Sequence, residues 1–208
     1  MKILIGDDHS VVRKGLIQIL KEAYPFATIT EASDGAQMFK LALKEKFEII
    51  ISDISMPGRS GIDFIKELKD AQPKTPVLIL SIHPAEQYAL RTIKAGASGY
   101  INKESAPEEL IIAVQQLLNG KKFITEDVAE ILFDYRFQTS GKAPHEILSN
   151  REFEVFKLIA QGKATLQIAK ELSLSANTVS TYKTRLLDKM NLKSVSDITR
   201  YALENNII

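Results

Sequence analysis

Apolar residues in the first half of the chain fall into short continuous runs. These are Ile3-Leu4-Ile5, Ile49-Ile50-Ile51 and Val77-Leu78-Ile79-Leu80, with weaker ones at Ala27-Thr28-Ile29-Thr30 and Gly99-Tyr100-Ile101. Rich in β-branched residues and without polar alternation, they have the pattern of strands covered on both faces. Between them, residues 11–23, 36–46, 62–71, 85–95 and 107–118 repeat apolar positions at helical spacing. Strand and helix alternating in this way predict an α/β unit of five βα repeats, a parallel five-stranded sheet with helices on both faces, over residues 1–121.

The pattern changes after Gly120, and no further strand can be read. Residues 125–133 suit one more helix, and Gln138-Thr139-Ser140-Gly141-Lys142-Ala143-Pro144 has the composition of a linker. Residues 122–144 are therefore expected to be a linker that carries a helix, and 145–208 an all-α domain of four short helices. Ser149 with Glu152 forms a capping box for the first of these, and Gly162 stands where it should stop. Residues 165–172, 175–190 and 194–204 supply the others, the last opened by Ser194 and Asp197 in capping-box form.

Composition narrows the class only a little. A chain of 208 residues accommodates two domains, and 45% hydrophobic with 25% charged residues is ordinary for a globular protein. No apolar run approaches the ~20 residues needed to span a bilayer, and the start is too short for a signal-peptide core, so no membrane partner is expected. The absence of cysteine removes disulfides, thiol catalysis and thiolate metal sites, and fits a cytoplasmic chain. A net charge of +1 says nothing about nucleic acid, because the placement of the cations decides that.

Chemistry in an open parallel sheet collects at the carboxyl ends of the strands, near the switch in strand order. The residues there are Asp7 and Asp8 after the first strand, Asp53 after the third, Ser81 after the fourth and Lys103 near the end of the fifth. Each has an ordinary reading alone. An acid after a strand is most often a helix N-cap, Asp53 to Gly58 could be only a turn, Ser81 could simply end a strand, and Lys103 could be a solvated charge. Together, crowded carboxylates repel, and a bound divalent cation relieves the repulsion. An oxygen-only donor set suits Mg2+ and argues against zinc. With such a cation one carboxylate could attack a phosphoryl donor, while the hydroxyl and the ammonium hold the transferred oxygens.

Asp7-Asp8, Asp53 followed by Met56-Pro57-Gly58, Ser81 and Lys103 resemble, in order and spacing, the motif set of two-component response-regulator receiver domains. The resemblance implies a flavodoxin-like fold with Asp53 as phosphoacceptor. It also implies Mg2+ organised by Asp7 and Asp8, with Asp8, Asp53 and the backbone carbonyl of Ser55 as protein ligands. Lys103 would pair with the phosphoryl group, Ser81 would be the switch hydroxyl and Tyr100 the switch aromatic that rotates inward on phosphorylation. His9 and His83 match no family role and read as helix-start and loop residues.

In the C-terminal part, Ile168, Ala169 and Leu172 can interlock with Val179, Leu186 and Met190 across a short turn at Ser173-Leu174. Spacing alone leaves open an ordinary helical bundle fragment. The next helix carries the discriminating detail. Val179, Tyr182, Leu186 and Met190 fall on one side, and Asn177, Ser180, Thr181 and Thr184 on the other. That second face holds short polar groups flanked by Lys183 and Arg185, which suits a helix lying in the major groove of double-stranded DNA between phosphate rows. Leu148-Ser149-Asn150-Arg151-Glu152, Ile168-Ala169 and Thr178-Val179-Ser180-Thr181-Tyr182-Lys183 resemble the LuxR-type helix-turn-helix, and the whole chain resembles the NarL/FixJ branch of response regulators. It departs from many members at Ser180 and Tyr182, where Lys and His are usual, and at Thr165-Leu166-Gln167, where an Asn-Lys-Glu-like triplet is usual.

The resemblance implies a transcriptional regulator and not an enzyme. A histidine kinase or a small phosphodonor would phosphorylate Asp53, and two copies would pair on DNA through the helix at 194–204. One alternative is a protein- or RNA-binding helical output. Another is a phosphohydrolase of haloacid dehalogenase type, which needs a second acid two residues after the nucleophile, where this chain has Ser55. A quorum-sensing regulator of LuxR type would require a ligand pocket in place of the acid-bearing α/β unit.

Overall fold

The computed structural model describes residues 1–56, 61–137 and 143–208. Pro57 and Gly58 of the motif after Asp53, and 138–142 of the expected linker, lie outside the described residues. The chain divides into two compact units, Met1–Phe137 and Gln138–Ile208.

In the first unit, β1 (Lys2–Gly6), β2 (Thr28–Ala32), β3 (Ile49–Asp53), β4 (Val77–Ser81) and β5 (Gly99–Asn102) form one parallel sheet in the order β2-β1-β3-β4-β5. Helices α1 (Ser10–Ala23), α2 (Gly35–Lys44), α3 (Gly61–Ala71), α4 (Ala85–Lys94) and α5 (Ala106–Leu118) connect and follow the strands. Every residue of β3 and β4 is buried, as the unbroken apolar runs require. Alternate side chains serve opposite faces of the sheet. Ile3, Ile5, Ile49, Ile51, Leu78, Leu80 and Ile101 share a core with Leu16 and Leu20 of α1 and with Leu110, Val114 and Leu117 of α5. The intervening Leu4, Ile50, Ile79 and Tyr100 are buried toward the other helices.

The core runs on past the expected boundary near residue 121. Phe123 belongs to the same apolar cluster, and its N–H donates to the Ser98 carbonyl at 3.0 Å. Helix α6 (Glu126–Phe137) extends four residues beyond the reading of 125–133. It packs against α4, with Val128 buried and the Lys94 ammonium 3.4 Å from the centre of the Tyr135 ring. Periodicity shows that this segment can be helical. The partner it finds on α4 is a tertiary matter.

The second unit opens with a 3-10 turn (Pro144–Ile147) and contains α7 (Asn150–Ala160), α8 (Thr165–Glu171), α9 (Ala176–Met190) and α10 (Val195–Glu204). The capping box of α7 is present: the Ser149 hydroxyl accepts from the Glu152 N–H, and the Glu152 carboxylate accepts from the Ser149 N–H at 2.8 Å. Gly162 takes φ +81°, the left-handed conformation that ends a helix most easily with glycine. Phe153, Phe156, Ile168, Val179, Leu186, Ile198 and Ala202 are buried, and α7 packs on α9 and α10 while α8 packs on α9. Among the described residues no helix is long and apolar enough to cross a membrane.

Candidate functional site

The parallel register decides which side chains share the carboxyl edge. Gly6 lies opposite Ser52 and Asp53 opposite Leu80, so Asp7, one residue beyond β1, comes level with Asp53 at the end of β3. Strand order reverses between β1 and β3, because β2 lies to one side of β1 and all later strands to the other. The two acids therefore flank the switch point. Ser81 ends β4, and its register partner Asn102 places Lys103 just past the end of β5.

Lys103 Nζ lies 2.8 Å from Asp53 Oδ2 and 2.7 Å from Asp7 Oδ2. Both acids are fully buried, and the lysine side chain is only 8% exposed, so none of the three is a solvated charge. Burial raises the Asp53 carboxyl above the ordinary aspartate value, against the hydrogen bond and charge of Lys103. Burial alone would lower Lys103, yet its contacts with Asp53 and Asp7 outweigh burial and hold it above the ordinary lysine value. Asp8 faces solvent beside them. The bland reading of the acid pair as a helix cap fails, since the N-cap of α1 is His9, with no side-chain cap.

One ammonium bridging two acids leaves the cluster short of positive charge. The bond from Lys103 goes to Asp53, while its contact with Asp7 Oδ2 is an ion contact that leaves this buried oxygen without a directed hydrogen bond. Ligand atoms of Asp7, Asp8, His9 and Asp53 all lie within 4.8 Å of one another. A pocket of hard carboxylate oxygens with one imperfectly satisfied fits Mg2+. His9 joins the cluster through Nδ1, 2.9 Å from Asp8 Oδ1, and its N–H donates to Asp7 Oδ1 at 2.8 Å. Its reading as a plain helix-start residue is thus incomplete. Only its adjacency to the acid pair could have signalled this.

At the neighbouring strand end, Ser81 Oγ accepts from the His83 N–H at 2.9 Å. The Tyr100 hydroxyl donates to the His83 carbonyl at 2.8 Å, and the His83 ring stacks on Tyr88 of α4. Tyr100 is only 1% exposed, so it already lies inward, and burial pushes its pKa up to about 12.

In the second unit, the turn between α8 and α9 places Ser173 at φ +54°, and the Leu174 N–H closes back on the Ala169 carbonyl at 2.8 Å. Ser175 then caps α9, its Oγ accepting from the Thr178 N–H at 3.0 Å. Val179, Leu186 and Met190 are buried against the rest of the unit, whereas Tyr182 and Leu172 are only half-buried. Asn177, Ser180, Thr181, Thr184 and Arg185 are exposed, and Lys183 is half-buried. The hydroxyls of Thr181 and Thr184 donate to the carbonyls of Asn177 and Ser180 at 2.9 and 3.2 Å. They therefore present acceptor lone pairs and methyl groups outward.

Comparison with known proteins finds a family for each unit. Residues 3–115 match the response regulator receiver domain family, and 146–202 match the bacterial regulatory proteins of the luxR family. The chain is 36% identical to the oxygen regulatory protein NreC of Staphylococcus epidermidis over 216 aligned positions, which cover 100% of this chain and 99% of that protein. Among solved structures, RcsB of Salmonella enterica serovar Typhimurium, bound to promoter rprA with the phosphomimetic BeF3−, superposes with a TM-score of 0.67 at 26% identity, covering 97% of each chain. A structure of two RcsB dimers bound to two parallel DNAs gives 0.60 at 28% identity and the same coverage. The chain belongs to the response regulators that join a receiver domain to a LuxR-type helix-turn-helix, the NarL/FixJ branch, and is a phosphorylation-dependent regulator of transcription.

Proposed function

We propose that Asp53 is the phosphoacceptor and that its phosphorylation governs binding of double-stranded DNA by α9. The observation that carries this reading is Lys103 Nζ, set 2.7 and 2.8 Å from two buried acids at the switch point of the sheet. An oxygen of Asp53 attacks the phosphorus of the donor, the bond from phosphorus to the leaving group breaks, and an acyl phosphate remains. Asp7, Asp8, Asp53 and the Ser55 carbonyl would hold Mg2+, which offsets charge on the group in transfer. Lys103 turns from the carboxylates to a phosphoryl oxygen. Ser81, already held by the His83 N–H, directs its own O–H to another. Tyr100 is bonded to the same His83 and passes the change to α4 through the His83–Tyr88 stack. Because Tyr100 lies inward here, phosphorylation acts by holding a conformation within reach, as a population shift.

The donor is a histidine kinase, or a small phosphodonor in its absence, and the protein works in the cytoplasm. On DNA, two copies pair through α10 so that two copies of α9 read related half-sites. That RcsB binds DNA as dimers supports pairing of two copies on DNA. Asn177, Ser180, Thr181 and Thr184 face the bases, and Lys183 and Arg185 the phosphates. Incubation of the full chain with Mg2+ and acetyl phosphate should add one phosphoryl group per molecule by intact mass and tighten duplex binding. Asp53→Asn should abolish both. Equal labelling of the variant would sink the assignment.

A further inference from the structure

Arg13 has no part in the phosphoryl-transfer scheme, yet it bonds twice to the acid-bearing loop and once to β2. Its Nη1 donates to the Asp7 carbonyl, and its backbone N–H donates to the His9 carbonyl at 3.0 Å. Its Nε is held 3.0 Å from Glu31 Oε2 on β2. The guanidinium is largely buried, with 13% of the side chain exposed. Meanwhile the Asp7 N–H donates to the Ala32 carbonyl at 3.2 Å. Both backbone polar groups of Asp7 are therefore fixed, its N–H by the end of β2 and its carbonyl by Arg13. The Asp7 carbonyl lies before the first turn of α1 and takes no intrahelical partner, so Arg13 supplies one.

We propose that Arg13 is a positioning residue, anchored by Glu31, that holds the Asp7–Asp8 loop in the orientation in which its carboxylates receive a divalent cation. The proposal rests on the reading of the acidic edge as a Mg2+ site. It is separable from a simple charge effect by sign. A guanidinium beside an acid cluster repels a metal ion, so by charge alone its removal should tighten binding. Loss of positioning should weaken it, since partners that orient metal ligands are each worth roughly 10- to 100-fold in affinity. The fork geometry matters as well. A lysine keeps the charge but lacks the two diverging N–H groups that reach Asp7 and Glu31 together.

The test is a Mg2+ titration of the isotope-labelled full chain, followed by the amide NMR shifts of the loop from Asp7 to His9, with the remaining spectrum reporting that each variant is folded. Arg13→Met and Arg13→Lys should both weaken Mg2+ by about tenfold or more. Glu31→Gln should weaken it by less, and the double variant R13M/E31Q should bind as R13M does, because Glu31 acts only through Arg13. Wild-type affinity in R13K, or equal or tighter binding in R13M, overturns the positioning role. An additive double variant overturns the anchor. Wild-type protein that shows no saturable Mg2+ shift overturns instead the reading of the acidic edge. Should R13M not fold, R13K and E31Q decide the matter.

Discussion

Lys157 sits on α7 with only 5% of its surface exposed, and burial lowers its pKa to about 8, with Glu154 opposing the shift. Below that pH the folded protein carries a buried ammonium, which is a cost. Between about pH 8 and the ordinary lysine value of 10.5, the folded state has lost the proton and the unfolded state still binds it, so this group adds stability as pH rises. Lys157→Met should therefore abolish this rise: in chemical denaturation wild type should gain stability relative to the variant between about pH 8 and pH 10, and a constant difference would contradict the burial argument. A second residue-scale expectation concerns α9. With their hydroxyls turned back to the helix, Thr181 and Thr184 present an acceptor and a methyl group outward, the groups that would meet bases in the proposed complex. Thr184→Ala should change which duplex sequence binds best, by about 1–3 kcal/mol between sites, with little loss on random DNA. The identities of Asp7, Asp8, Asp53, Ser81 and Lys103 could be read along the chain because each follows a recognisable strand. Arg13 could not. Its partner Glu31 is eighteen positions away and meets it only once β1 and β2 are paired.

Among the elements, α7 shows how a local cap becomes a tertiary joint. Ser149 and Glu152 form the box that their spacing predicts, and the same Glu152 carboxylate also accepts Lys189 of α9 at 2.6 Å. Burial would raise Glu152, but Lys189 and Ser149 prevail and its pKa is lowered. The resulting stability is present above the ordinary glutamate value and is lost as pH falls through the lowered one. Glu152→Ala removes cap and ion pair together and should destabilise the second unit by about 2–3 kcal/mol. Lys189→Met, which removes a half-exposed partner, should cost about 1 kcal/mol in the same denaturation experiment. A Lys189 variant as damaging as the Glu152 variant would mean that the cap contributes little. Helix α6 gives the converse lesson. Its acidic first turn and helical spacing are local features, but its packing on α4, through Lys94 and Tyr135, depends on a surface built from distant sequence.

At the scale of the whole molecule, two units with separate cores divide the work, one carrying the acid cluster and the other the LuxR-type helix-turn-helix. Phosphate contacts act on every duplex alike, so Lys183→Ala should weaken binding uniformly and reduce the slope of log affinity against log salt by about 1. Loss confined to one sequence would assign Lys183 to a base instead. The primary structure by itself determined the alternation of strand and helix, the capping signals, the change of architecture after Gly120 and the chemical identity of the acid cluster, because each is written in near-neighbour spacing. Tertiary structure decided the rest. Pairing register brought Asp7 level with Asp53, the charge of the two carboxylates drew Lys103 between them, the core extended through Phe123, and Tyr100 settled inward on the His83 carbonyl. These depend on contacts between residues far apart in the chain, whose energies arise only when packing excludes water and fixes distances.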